Sequence, residues 1–310
     1  MKGHNDDNVK CSLSFKKVVK ELFEELNNQF EEELKKQFKE ECEKFKEELK
    51  KNNEKLKELR LDINTVNYNS CPDNYLGNFE IKENRVIHNN LWFDRKKRVK
   101  NIKEIFINDN KLKLLQDNKE EKIILIVLES PHKNEFKGID GHIAPAIGKT
   151  GKYLNDYFSN IIKDKLGDGK YKVILSNAIQ YQCSLGVNTN IFRDRIWIKL
   201  WLMEDFDKYF IKRLEKYKPD VIINLCTKGG HEKDPYIPKV PKVINKEYLY
   251  SICDEEVVLK KLGEVKKKIE LRDLVQKIIN EYNYDKDIFI FKGYHPSSWW
   301  NNRCRKIDIV

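Results

Sequence analysis

The stretch Glu121-Lys-Ile-Ile-Leu-Ile-Val-Leu-Glu-Ser-Pro-His-Lys-Asn-Glu135 decides the fold. From Ile123 to Leu128 it is unbroken apolar sequence, rich in β-branched residues. A strand covered on both faces has that pattern, as in the parallel sheet of an α/β domain. The run stops at Glu129-Ser130-Pro131-His132. Pro131 fixes its own φ and keeps Ser130 extended, so the chain turns there. In open α/β sheets, ligands are handled at the carboxyl ends of strands. On its own the stretch fits equally well an ordinary strand running into a polar loop.

Three later stretches repeat the pattern. Tyr171-Lys-Val-Ile-Leu-Ser-Asn177 is an apolar run ending at an asparagine, and Pro219-Asp-Val-Ile-Ile-Asn-Leu225 leads into a small-residue turn. Asp287-Ile-Phe-Ile-Phe-Lys-Gly-Tyr-His295 runs into Pro296 and Ser297. Helical stretches separate the runs, around residues 152–159 and in the charged segment 255–282. The expected fold is α/β, a central parallel four-stranded sheet flanked by helices, with Glu129, Asn177 and His295 along one edge.

Composition narrows the partners. The chain has 310 residues, is 40% hydrophobic and carries a formal net charge of +10. That is room for one sizeable domain and an accessory piece, with a basic balance that favours an anionic partner such as nucleic acid. A lysine-rich composition also follows from an AT-rich genome. The seven cysteines form no Cys-x-x-Cys pair. Free thiols in a reducing cytoplasm account for them better than a disulfide scaffold or a zinc ribbon does. No apolar run is long enough to span a bilayer and the start is no signal peptide, so a cytoplasmic protein without membrane partners is expected.

Residues 1–60 are expected to form a long amphipathic arm. Apolar residues recur from Phe15 to Leu59 and, with Asn52 filling one stripe position, make twelve steps over 44 residues. That is about 3.67 residues per step, closer to an eleven-residue than a heptad repeat. Ser14 is the candidate N-cap. The stripe suits a homo-oligomer or partner-docking helix, or a helix folded back on its own domain. Residues 61–118 are expected to be a small basic accessory or linker segment, with a hairpin turning at Glu83-Asn84. Within it Arg95, Lys96, Lys97 and Arg98 follow Trp92-Phe93, a pattern for tracking a phosphate backbone or for a solvated turn. The catalytic domain is placed at 119–310.

Gly148-Lys149-Thr150-Gly151 precedes a helical run, but the first glycine of a nucleotide-binding phosphate loop is missing: Ile143 stands in its place. The helix start still offers N–H groups to a DNA phosphate, with Lys149 and Thr150 beside it.

Five segments in order over residues 120–305 make the chain resemble the uracil-DNA glycosylase superfamily, in the branch called family 4. Glu129-Ser130-Pro131 is similar to Glu-Ala-Pro of its Gly-Glu-Ala-Pro-Gly motif. Pro145-Ala-Ile-Gly-Lys-Thr-Gly-Lys-Tyr-Leu154 resembles Pro-Phe-Val-Gly-x-Ala-Gly-x-Leu-Leu. Asn177-Ala-Ile-Gln-Tyr-Gln-Cys183 is similar to the Asn-Val-Val-Lys-Cys stretch, and Lys218-Pro-Asp-Val-Ile-Ile-Asn-Leu225 to Arg-Pro-Lys-Val-Ile-Val-Ala-Leu. Tyr294-His-Pro-Ser297 repeats Tyr-His-Pro-Ser. The resemblance does not reach the first hundred residues.

The resemblance implies a monofunctional DNA glycosylase that hydrolyses the N-glycosidic bond of a flipped base. His295 would donate to the departing base anion, Asn177 would read the base edge, and Glu129 would orient water or stabilise the cationic sugar. Ser130, Pro131, His132, Ala146 and Ser297 would line the base site. Ser298, Trp299, Trp300, Arg303 and Arg305 would meet DNA, with one tryptophan as the wedge that base flipping calls for. The chain also departs from the family. Leu128 and His132 replace the two glycines of the first motif, and Ala146 replaces the aromatic that stacks on uracil. Only Cys183 matches an iron–sulfur ligand, so no cofactor is expected. The smaller residue at 146 points to a larger or modified base, as in foreign (phage) DNA. The alternatives are a non-catalytic DNA or nucleotide reader on the same fold, and a metal-dependent nuclease using Glu129, His132 and Glu135.

Overall fold

A computed structural model describes the backbone of residues 6–51, 65–118, 120–186, 192–230, 244–265, 268–283 and 286–310, and the side chains of these residues except 6–24 and 49–51. Helix α1 (Asp6–Lys51) is followed by the hairpin β1 (Asn74–Lys82) and β2 (Arg85–Asn89), then by α2 (Arg95–Lys100), α3 (Ile102–Ile105) and α4 (Asp109–Asp117). The deciding stretch is β3 (Glu121–Leu128). Beyond it come α5 (Lys149–Ile162), β4 (Gly169–Asn177), α6 (Arg193–Met203), α7 (Phe206–Tyr217) and β5 (Val221–Asn224). The chain ends with α8 (Lys246–Ile252), α9 (Glu255–Leu262), α10 (Leu271–Tyr282), β6 (Phe289–Gly293) and β7 (Ile307–Ile309).

These strands build one seven-stranded mixed sheet in the order β2-β1-β4-β3-β5-β6-β7. Its centre, β4-β3-β5-β6, is parallel throughout and consists of the four runs read from the sequence. The expectation of a four-stranded sheet is corrected at the edges. β1 pairs antiparallel with β4, and β7 antiparallel with β6. Residues 74–89 are therefore not an accessory piece; they extend the same sheet.

Side chains of β3 alternate between two cores. Ile123, Leu125 and Val127 join a cluster with α1, α4 and the helices α6 to α10. Ile124, Ile126 and Leu128 join a second cluster with α5 and Trp299. A strand with helical cover on both faces needs an apolar side chain at every position, which is why the run is unbroken. The β1–β2 turn falls at Glu83 and Asn84, both in the left-handed region (φ 50° and 57°), the geometry of a tight hairpin loop.

Helix α1 starts at Asp6, before the expected cap Ser14. Its stripe is covered by its own domain: Leu34, Phe38, Cys42 and Phe45 lie in the larger core. Phe38 packs on Tyr181 (5.2 Å) and Phe45 on Phe192 (5.6 Å). Glu41 accepts from Lys199 (2.9 Å) and Glu31 from the Tyr209 hydroxyl (2.9 Å). For Phe30 to Phe45, the expectation of an oligomerisation surface gives way to that of a helix folded back. The stripe positions before residue 25 and after residue 48 lie outside the described side chains. Among the described residues no helix is long and apolar enough to cross a membrane.

Candidate active site

Numbered among themselves in chain order, the four parallel strands lie as 2-1-3-4, so the crossovers from β3 and β4 leave in opposite directions. A crevice opens at such a switch point, outside the carboxyl ends of the strands. Glu129 follows β3 directly. Asn177 closes β4 opposite Leu128, and His295 stands two residues beyond β6.

His295 Nε2 comes within 3.4 Å of Glu129 Oε2. The other ring nitrogen is occupied on its own side. Nδ1 accepts from the Ser297 N–H (3.3 Å) and lies 2.8 Å from the Ser297 hydroxyl. The ring proton therefore sits on Nε2, on the side of Glu129. Burial lowers the His295 pKa below 6.5; Glu129 opposes the shift and Arg193 adds to it. The imidazole is neutral at pH 7, with one donor pointing inward.

Glu129 is held by its backbone. Its carbonyl accepts from the Trp197 indole (2.9 Å) and from the Ile179 N–H (3.1 Å). Its Oε2 is buried and has no hydrogen-bond partner in the protein. Asn177 is 1% exposed, and neither its amide nitrogen nor its amide oxygen has one. Glu135 Oε2 is in the same condition, and Ser130 Oγ meets only the Cys183 thiol. A buried polar atom left unpaired costs about 1–3 kcal/mol. Several of them within one short stretch and its neighbouring strand suit a place where a polar ligand binds.

The loop of Ala146 is clamped from beneath. The Ala146 N–H bonds to the Glu135 carboxyl, and Arg98 donates to the carbonyls of Trp92 (2.9 Å), Pro145 and Ala146. Ala146 has φ 51°, and a Cβ on Gly151 would lie 1.9 Å from its carbonyl oxygen. A residue larger than glycine at 151 would thus displace the loop. Burial raises the Glu135 pKa to about 8, against the pull of the Ala146 N–H and Arg98. Burial also lowers Arg98 to about 10.

Several expected residues sit elsewhere. Arg98 is fully buried and serves this clamp, so it does not contact DNA. Ala146 belongs to the core with Phe93, Leu128 and Leu154 and opens no space for a larger base. Trp299 is fully buried, its indole bonded to the Tyr294 carbonyl (2.9 Å); it anchors the loop and is not a wedge. Arg305 is turned inward, bonded to the carbonyls of Trp299 and Trp300 and lying 3.6 Å from the Tyr157 ring centroid. His132 is half-buried and neutral, its pKa lowered by burial; Nδ1 accepts from Asn134 N–H, and Nε2 faces Gly186.

The remaining expected positions lie as follows. Trp300 is 68% exposed, and Arg303, Ser297, Lys149, Arg95, Lys96 and Lys97 are exposed. No side chain caps the first turn of α5, where Lys149 and Thr150 stand. Pro131 is buried and Ser298 bonds to the His295 carbonyl (2.7 Å). Among the described residues no three His, Cys, Asp or Glu side chains gather as a metal-binding set. Reading the sequence missed Arg193, Trp197 and Arg213. They lie in helices with no motif around them, and only the fold brings them to the site. Comparison with family models, with curated proteins and with solved structures returned no match for this chain.

Proposed function

We propose that this chain is a monofunctional DNA glycosylase, hydrolysing the N-glycosidic bond of a base held in the crevice between Glu129, Asn177 and His295. One observation carries the reading. At the carboxyl edge of the parallel strands, an inward Nε2–H donor, a buried carboxylate oxygen and an unpaired side-chain amide occur together. The amide has a donor and an acceptor side by side. It complements a base edge with the same pair in reverse, such as a ring N–H beside a carbonyl.

The chemistry follows from where charge develops. As the C1′–N bond breaks, its electron pair goes to the base and positive charge grows on the sugar. His295 Nε2–H donates to the base anion, and the neutral ring carries no charge that would bind the ground state more strongly. Glu129 sits where a carboxylate stabilises the sugar and takes the proton of the water that adds to C1′. Trp300, exposed just beyond His295-Pro-Ser-Ser, is the wedge for the gap left by a flipped base. DNA is the partner, met by Arg303, Lys149 and the exposed cations of α2.

The test separates chemistry from binding. His295→Ala should cut base release by about 10²- to 10³-fold, as removal of a preplaced transition-state donor does. DNA affinity should stay within about threefold, since the donor acts on charge absent from the ground state. Equal losses in binding and release would mark His295 as a binding residue and favour a DNA reader without catalysis.

A further inference from the structure

Asn177 has no side-chain hydrogen bond of its own, yet a base reader has to be held still. The residues on either side of it are bound by one guanidinium. Arg213, on α7, donates from Nη1 to Ser176 Oγ (2.8 Å) and from Nη2 to the Ala178 carbonyl (2.6 Å). Its charge is matched by Asp73, which Nη1 reaches at 3.1 and 3.2 Å. Asp73 also accepts from the Gln180 amide (2.9 Å) and the Tyr217 hydroxyl (2.7 Å). Arg213 and Asp73 are 6% and 4% exposed.

We propose that the Arg213–Asp73 pair is the positioning device for Asn177: it grips the chain on both sides of the asparagine and a third time at Gln180, and so fixes the direction of the free amide. The proposal rests on the reading of Asn177 as the group that meets the base. The grip has a geometric reason. Asn177 ends a strand, and past it the Ala178 and Ile179 N–H bond to the carbonyls of Leu128, the last residue of β3, and of Glu129 beyond it. Those bonds hold one side of the backbone. Arg213 holds the other, by two donors of a rigid fork whose spacing a lysine ammonium cannot reproduce. A buried ion pair adds little net stability over an apolar pair of similar volume. Fixing a conformation is a role for which the cost of burying it makes sense.

The full-length protein tests this with three variants and two readouts. The first readout is the rate of base release, and the second the NMR signals of the Asn177 side-chain amide, assigned through Asn177→Gln. Ser176→Ala removes one grip and leaves the ion pair, so its melting midpoint should shift by only about 2 °C or less. Its base release should still fall roughly tenfold. Arg213→Met should lose about a hundredfold, the scale of a misplacement near 1 Å, and Arg213→Lys should not rescue it. The amide signals should shift or broaden in all three. If Arg213→Met does not fold, Ser176→Ala and Arg213→Lys decide. Unmoved amide signals, with release within twofold of wild type, would overturn the proposal whatever the melting midpoint. If amide signals move but the wild type releases no base from any DNA, the positioning role stands and the glycosylase reading falls.

Discussion

His295 and Glu135 show how burial assigns protonation at this site. The His295 ring is neutral because burial disfavours its charged form, and its proton lies on Nε2 because Ser297 occupies Nδ1. Glu135 is the opposite case: a carboxyl pushed up to about 8 that keeps its proton at pH 7. Arg98, Cys71 and Glu129 are the ionisable groups that act on it. Between pH 4.5 and about 8 the folded state holds a proton that the unfolded chain has released. Stability therefore falls as pH rises through that window, by at most about 1.4 kcal/mol per pH unit. Glu135→Gln keeps the shape without the titration. Urea unfolding of both proteins from pH 5 to 8 should show the slope in wild type and a flatter line in the variant; parallel lines would place the Glu135 pKa near its ordinary value. Glu129 and Asn177 were legible in the sequence, each standing where an apolar run stops. Arg98 was not, because a cation that turns inward looks like its four exposed neighbours in a basic run.

Among the elements, α1 departs most from its expected role. An apolar stripe declares that a helix needs a cover without saying whose. Here the cover is Tyr181, Phe192 and the faces of α6 and α7, so the helix buttresses the segment that follows Asn177. Phe38 is fully buried in that seam. Phe38→Ala should lower unfolding free energy by about 3–5 kcal/mol, the range for a buried phenylalanine. A loss under about 1 kcal/mol in urea titration would mean that α1 is only loosely docked. The edge strands were legible unevenly. β1 and β2 announce themselves by alternation around Glu83-Asn84, whereas β7 is three residues long and carries no pattern of its own. The four central strands were clear because burial on both faces keeps most of their positions apolar.

Over the whole molecule, charge and sheet polarity point the same way. The carboxyl edge of the parallel strands carries Glu129, Asn177 and His295, and the loop beyond His295 adds exposed Trp300, Arg303 and Lys306. With Arg305 engaged by the loop itself, Arg303 and Lys306 are the cations of this loop that the proposed DNA path would use. Replacing both with alanine should make the slope of log affinity against log salt shallower by about 1.8 on duplex DNA. An unchanged slope would move the DNA path to another face. The central claim is that the crevice breaks an N-glycosidic bond, and released base is its direct product. DNAs bearing different normal and modified bases are incubated with the protein, free bases are identified by mass spectrometry, and strands are examined before and after alkali. The account predicts a free base from at least one DNA, with the strand intact until alkali cuts it at the abasic site, and loss of both signals in His295→Ala. Strand cleavage that EDTA abolishes, with no base released, would contradict it.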